Sequence, residues 1–153
     1  MSDPWRNGAD LIDMAAEEKR AQVTLVRGDE RQAACIRWRW AWAGNHDNYD
    51  MTFEWSGPML QSSAADVFEA LVLIRRQLEP LGWFVAVQWS RLDAYPSGMA
   101  RDMGGGERIY LMRPGQKARI EDLVDTMAPA DPERLATVDD QEEYWKRWLR
   151  HEL

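Results

Sequence analysis

The stretch Leu92–Glu107 carries the residues best suited to chemistry: Ser97, Arg101, Asp102 and three consecutive glycines, Gly104–Gly106. Glycine backbone can turn its N–H groups toward an anion, and a hydroxyl and a guanidinium could complete a phosphate cradle. That would make the chain a small-molecule or nucleotide-binding enzyme or regulator. The spacing departs from a P-loop: no Lys-Ser/Thr follows, and the next segment reads as a strand, not a helix. The same stretch holds Tyr95, Met99, Arg101 and Met103, types that suit an adaptable protein-binding patch. A structural loop tucked against a sheet is the third reading, since long loops in small domains either serve a function or pack.

Charge supplies the second candidate. Lys plus Arg is 19 and Asp plus Glu is 26, giving −7. From Glu121 to Glu143 there are nine acids and one base, Arg134, so that segment is −8 and the rest sums to +1. These acids can be a solvated face with ordinary helix-start carboxylates. Otherwise they form a landing surface for a basic partner, with Asp139, Asp140, Glu142 and Glu143 in contact. The acidic balance excludes general binding to nucleic acid or to anionic membranes.

Other catalytic constellations are missing from the sequence. The two histidines, His46 and His151, fall in a turn and at the chain end, and one cysteine cannot complete a zinc site with them. Cys35 lies in mid-strand with no base near it in sequence, which suits a buried structural thiol. Ser97 lacks a GxSxG elbow. The adjacent pair Asp139-Asp140 is explained by capping, and a glycosidase pair finds no support. No metal and no cofactor is expected.

The elements that must position these residues follow from periodicity. Ile36, Trp38, Trp40 and Trp42 share one parity, and Cys35, Arg37, Arg39 and Ala41 the other, over Ala34–Trp42. Tyr49–Trp55 repeats the alternation, with Tyr49, Met51, Phe53 and Trp55 on one side. Strict period two marks two strands with unlike faces. A four-residue loop, Asn45–Asn48, would pair Trp42 with Met51, Trp40 with Phe53, Trp38 with Trp55 and Arg39 with Glu54. The tryptophan ladder can be core, a stacking platform for bases or sugars, or a protein-contact surface.

Ala9–Arg20, with Leu11, Ile12, Met14 and Ala15, predicts a short amphipathic helix. Ala21–Arg27 predicts a strand, and Gly28-Asp29-Glu30 a turn. Gln61–Glu79 predicts a helix capped by Ser63 with Asp66 three residues on, stopped by Pro80 and Gly82. Trp83–Arg91 and Arg108–Met112 predict strands, and Pro114-Gly115 a turn. Ala118–Met127 fits either a strand running into a turn or a helix. Thr137–Leu153 predicts a terminal helix with acids first and bases last, capped by Thr137 and docked by Tyr144, Trp145, Trp148 and Leu149.

The chain, 153 residues and 45% apolar with nine Trp, suffices for one domain and its core. The expected architecture is a single α+β domain over 1–153: one antiparallel sheet of about five strands, helices mainly on one face. No apolar run approaches the roughly 20 residues of a membrane span. The N-terminal Met-Ser-Asp-Pro-Trp-Arg has no signal-peptide pattern, and one cysteine fits a reducing compartment, so a cytoplasmic protein is expected.

Taken together, the size, local acidity, aromatic sheet and missing catalytic set resemble the cytosolic immunity proteins that neutralise bacterial toxins. The stretches Tyr95–Gly106 and Thr137–Leu149 also resemble small bacterial proteins, without pointing to a named family. The resemblance implies a non-catalytic inhibitor, monomeric or a small oligomer, of a basic, nucleic-acid-targeting toxin; it carries over no residue by position, and the contact residues expected from the loop and the acidic segment are Tyr95, Met99, Arg101, Asp102, Met103, Asp139, Asp140, Glu142 and Glu143. A phage-derived or secretion-apparatus component, with the tryptophan sheet as oligomer interface, is a further alternative.

Overall fold

Alternation in the tryptophan-rich segment dictates the centre of the structure. The computed structural model describes residues 17–153, without the side chains of residues 102–104. Strands β1 (Lys19–Arg27), β2 (Glu30–Trp42), β3 (Asp47–Glu54), β4 (Leu60–Ala64) and β5 (Phe84–Val85) form an antiparallel sheet ordered β4-β3-β2-β1-β5. Strands β6 (Ala94–Tyr95), β7 (Arg108–Leu111) and β8 (Leu123–Asp125) form a second, three-stranded antiparallel sheet. Helices α1 (Val67–Leu78), α2 (Gly98–Gly104) and α3 (Val138–Leu149) complete an α+β fold. Two sheets therefore stand where one was expected. Of the expected Ala9–Arg20 helix, the part before Glu17 lies outside the described residues, and Lys19 and Arg20 belong to β1.

Face assignment in the hairpin agrees with the alternation: Ile36, Trp38, Met51 and Phe53 are buried together. The register differs. Trp38 faces Met51, Trp40 faces Tyr49, Ile36 faces Phe53 and Arg39 faces Asp50. The loop is Ala43–His46, closed by the Ala43 N–H donating to the His46 carbonyl at 2.9 Å. Asp47 and Asn48 are polar but pair in the ladder, and Trp40 Nε1 donates to Asp47 Oδ1 at 2.7 Å. The slip is even-numbered, so every side chain keeps its face. On the outward face Glu54 accepts from Arg37, not from Arg39.

The long helix starts later than the sequence suggests. Leu60–Ala64 is the edge strand β4, and the N-cap is Asp66, whose carboxylate accepts from Glu69 N at 2.9 Å. Ser63 instead donates to Asp50 across the β3–β4 ladder. In α1, Val67, Phe68, Ala70, Leu71, Ile74 and Leu78 are fully buried in the core that the inner sheet face supplies. Glu79–Leu81 tightens to a 3-10 turn, and Gly82 ends it at φ +83°. Trp83–Arg91 is largely buried, yet only Phe84–Val85 is strand; Gln88–Ser90 is a 3-10 turn. Thr137 caps α3 through Asp140 N at 3.1 Å, and the helix ends at Leu149, short of Leu153.

The buried connection between α1 and α3 is polar. Arg75, 2% exposed, donates to Gln141 Oε1 at 2.7 Å and to the Ala136 carbonyl at 3.0 Å. Gln141 Nε2 in turn donates to the Trp89 and Arg91 carbonyls, at 2.5 and 2.7 Å. Glu79 lies 3.8 Å from Arg75 and accepts from Val138 N at 3.0 Å, at the start of α3. Desolvation lowers the Arg75 pKa to about 10, so the group stays ionised near neutrality. Burial pushes the Glu79 carboxyl up, against the pull of Arg75 and the Val138 N–H.

The raised Glu79 pKa has a definite sign. The folded state holds this proton where the unfolded chain has released it. The associated stability is present below the ordinary carboxylate value, about 4.3, and is lost as pH rises through the raised folded value. Glu79→Gln keeps an acceptor for Val138 N and removes the titration. Denaturant midpoints across acidic pH should therefore fall with rising pH more steeply in the wild type than in this variant; parallel profiles would contradict the assignment.

Candidate functional site

The glycine-rich stretch is folded inward. Ser97 caps α2, accepting from Ala100 N at 3.0 Å, so a short helix occupies what reads in sequence as loop. Arg101 points back to α1, where Nη1 donates to Asp66 Oδ2 at 2.5 Å and Nη2 lies 3.6 Å from Glu69. Its guanidinium also sits 5.4 Å from the centre of the Phe68 ring. The Gly105 carbonyl accepts from Val67 N at 2.6 Å, and the Gly106 carbonyl from the buried Thr126 hydroxyl at 2.6 Å. Gly105 and Gly106 have φ of +62° and +90°. A Cβ on Gly105 would strike the Tyr49 hydroxyl, and one on Gly106 would come within 3.0 Å of Phe68 N. The glycines thus let this stretch pass against α1 and β3, with their backbone carbonyls engaged in the fold.

Asp66 consequently serves two bonds, capping α1 and anchoring α2. Asp66→Ala should cost about 1–2 kcal/mol from the lost cap alone. Asp66→Asn keeps an oxygen for Glu69 N and should lose less. Thermal unfolding of the two variants would check the order; equal stability of Asp66→Ala and wild type would contradict it.

The other expected contact residues separate into two groups. Tyr95 is half-buried against α3, its ring 6.1 Å from that of Trp145 and 5.1 Å from that of Trp148. Trp148 Nε1 donates to the Arg113 carbonyl at 3.0 Å, so Trp145 and Trp148 dock the helix as expected. Leu149, expected to share that role, is exposed. Met99 is 62% exposed. The side chains of Asp102 and Met103 lie outside the described residues. Arg101 and Tyr95 therefore serve internal packing, while Met99 faces outward.

The acidic segment is divided by the fold. Glu121, Asp122 and Asp125 fall beside and within β8, Asp131 and Glu133 in the turn before α3, and Asp139, Asp140, Glu142 and Glu143 on α3. Six of the nine have an arginine nitrogen within 4.0 Å. Arg119 lies 3.9 Å from Glu121, Arg113 2.8 Å from the buried Asp122, and Arg108 3.5 Å from Asp125. Arg76 lies 3.1 Å from Asp139 and 3.8 Å from Glu142, and Arg150 lies 4.0 Å from Glu143. Charge that is contiguous in sequence is mostly countered in space. Such exposed pairs are worth little individually, but they reduce the local field.

Asp131, Glu133 and Asp140 are the exceptions: among the described residues no such cation lies within 4.0 Å of their carboxylates. Asp131 and Glu133 line a surface groove of about 380 Å³ with Asp93, Arg134, Leu135 and Tyr144. Asp131 caps its own turn, accepting from Glu133 N at 3.0 Å, which fixes the Asp131-Pro132-Glu133 conformation. Asp93 is held by Arg91 at 2.6 Å. Tyr144 is one helical turn beyond Asp140, so the two share one side of α3. The groove is a concave acidic surface with an aromatic wall. Chemically, its carboxylates can accept from a guanidinium or ammonium and the ring can cover a stem or a cationic face, with Arg134 as the one base in the lining. Asp93 and Tyr144 are not apparent as site residues in sequence, and the one local signal is the Asp-Pro-Glu turn.

Among the described residues no group of three or more His, Cys, Asp or Glu is arranged to hold a metal. No described helix is long and apolar enough to cross a membrane. No protein-family model matches the chain, and no curated protein matches it significantly.

Proposed function

We propose that this is a non-catalytic binding protein of the toxin-immunity type, which neutralises a basic, nucleic-acid-targeting toxin by occupying its cationic surface. The observation that carries this reading is the groove beside α3, where Asp131 and Glu133 line the wall with Arg134 and Tyr144, and Asp140 lies one turn before Tyr144 on α3; among the described residues none of the three carboxylates has a cation within 4.0 Å. An Arg or Lys of the toxin that normally meets a phosphate would meet these carboxylates instead. Asp139, Glu142 and Glu143 on the same helix, each beside an arginine, would flank the groove, and the exposed Met99 would offer a separate apolar contact, while Tyr95 and Arg101 are used within the fold.

The inward use of Arg101 and of the Gly105 and Gly106 carbonyls favours this reading over a phosphate-binding enzyme. The protein would act in the cytoplasm, as a monomer or small oligomer. Its α+β scaffold would set helices mainly against one face of the large sheet and leave the acidic surface free. Coexpression with the protein encoded by the neighbouring gene tests the proposal. A complex that protects growth is expected; absence of both complex and protection would overturn it.

A further inference from the structure

The two edges of the large sheet are finished differently. Beyond β5 the chain is flanked by the segment that follows β8: Ala130 N donates to the Ala86 carbonyl at 3.0 Å, and Gln88 N to the Ala128 carbonyl at 2.9 Å. At the opposite edge β4 pairs only with β3, and among the described residues no backbone hydrogen bond outside that ladder reaches Leu60–Ala64. Alternate residues of such a strand turn their N–H and carbonyl groups away from the sheet. Edges of this kind are usually blunted by charge, by proline or by a bulge. Leu60–Ala64 has no charged residue and no proline, and its register against Tyr49–Phe53 is unbroken. The helix ridge beside it is uncharged too. Ser62 Oγ donates to the Ala70 carbonyl at 2.8 Å, which brings α1 against β4. Leu73 and Gln77 follow Ala70 at i+3 and i+7, so they share its side of the helix, and both are exposed.

The strand is complementary to itself. Two β4 strands related by a two-fold axis at Ser62 run antiparallel, with Leu60 opposite Ala64 and Gln61 opposite Ser63 of the other copy. Leu60 and Ala64 lie on the inner face, opposite Phe53 and Tyr49 in their own sheet, so a large side chain there meets a small one. Gln61 and Ser63 are exposed on the outer face, where an amide meets a hydroxyl. No like charges are opposed. We propose that this chain dimerises by pairing β4 with β4 of a second copy, which joins the two five-stranded sheets into one. The Ala70–Leu73–Gln77 side of each α1 flanks the junction. The contact uses the same patch on both copies, so the assembly closes at two, and it shares no residue with the acidic groove. The matched pairs, and the lack of any charge that would steer another molecule to this edge, favour a second copy over a different partner's strand.

Sedimentation velocity of the full-length chain over a range of concentrations tests the pairing. The wild type should sediment with twice the mass of the chain. Q61K/S63K sets lysine opposite lysine across the two-fold twice over, and should raise the dimer dissociation constant about tenfold or more. Q61E/S63K sets opposite charges there and should stay within about threefold of the wild type, a rescue that damage to the fold would not give. A wild type that stays monomeric up to about 100 μM would overturn the proposal. So would a dimer that both variants leave equally stable, which would place the contact elsewhere. A monomer whose binding to the neighbouring gene's product is lost in Q61K/S63K would assign the edge to that partner and overturn it as well.

Discussion

Arg75→Ala should lower the unfolding free energy by about 3–5 kcal/mol, the usual result of removing one member of a buried charged network. The guanidinium supplies hydrogens to Gln141 Oε1 and to the Ala136 carbonyl. Its loss leaves both acceptors unpaired and Glu79 without its nearest cation. The network also fixes where α3 starts, because Gln141 reads the backbone on either side of Ser90 and Glu79 holds Val138 N. Against a total stability of about 5–15 kcal/mol, the loss is a large fraction. Denaturant titration should give a lower midpoint at unchanged slope. A change below about 1 kcal/mol would show that the pair is dispensable.

Trp89→Ala should cost a similar 3–5 kcal/mol, through lost burial and the cavity left behind. The indole is almost fully buried, its ring centroid is 5.2 Å from that of Phe68, and its Nε1 donates to the Phe68 carbonyl at 3.0 Å. The Arg75 guanidinium lies 5.7 Å from the centre of the same ring. Trp89→Phe keeps most of the volume and should lose distinctly less. Because Arg75 and Trp89 touch, the double variant should lose less than the sum of the singles. Full additivity would mean that they act independently.

These two residues show what the sequence conceals. Parity in Ala34–Trp42 and Tyr49–Trp55 gives each side chain its face, because a period of two survives any even slip. It does not give the register. That depends on whether Asp47 and Asn48 end the strand or continue it, and the overhanging hairpin end tolerates polar residues in the ladder. Helix α1 is legible from Val67 to Leu78 by its apolar stripe. Its beginning is misread because Ser63, like Asp66, is a good cap by type, and only strand pairing tells them apart. Thr137 has no such competitor and caps α3 as its type suggests.

The candidate site divides in the same way. The nine acids are visible in composition, but their neutralisers Arg76, Arg108, Arg113, Arg119 and Arg150 lie outside the segment, so residual charge depends on tertiary contacts. Arg101 reads as a surface contact because its partner Asp66 is 35 residues away. Gln141 is among the most buried side chains, and nothing in its type or spacing marks it, because its partners Arg75, Trp89 and Arg91 are 50 to 66 residues away. Glycines that read as a ligand cradle are explained by the approach of Tyr49 and Phe68.

Titration of the purified full-length chain with the neighbouring gene's product tests the groove most directly, at low and high salt and with Asp131, Glu133 and Asp140 reversed to lysine. Contact between opposite charges should give fast, salt-sensitive association with the wild type, and the triple reversal should weaken binding by about 100-fold or more. Binding that is indifferent to salt and to all three reversals would contradict an acidic groove as the point of capture.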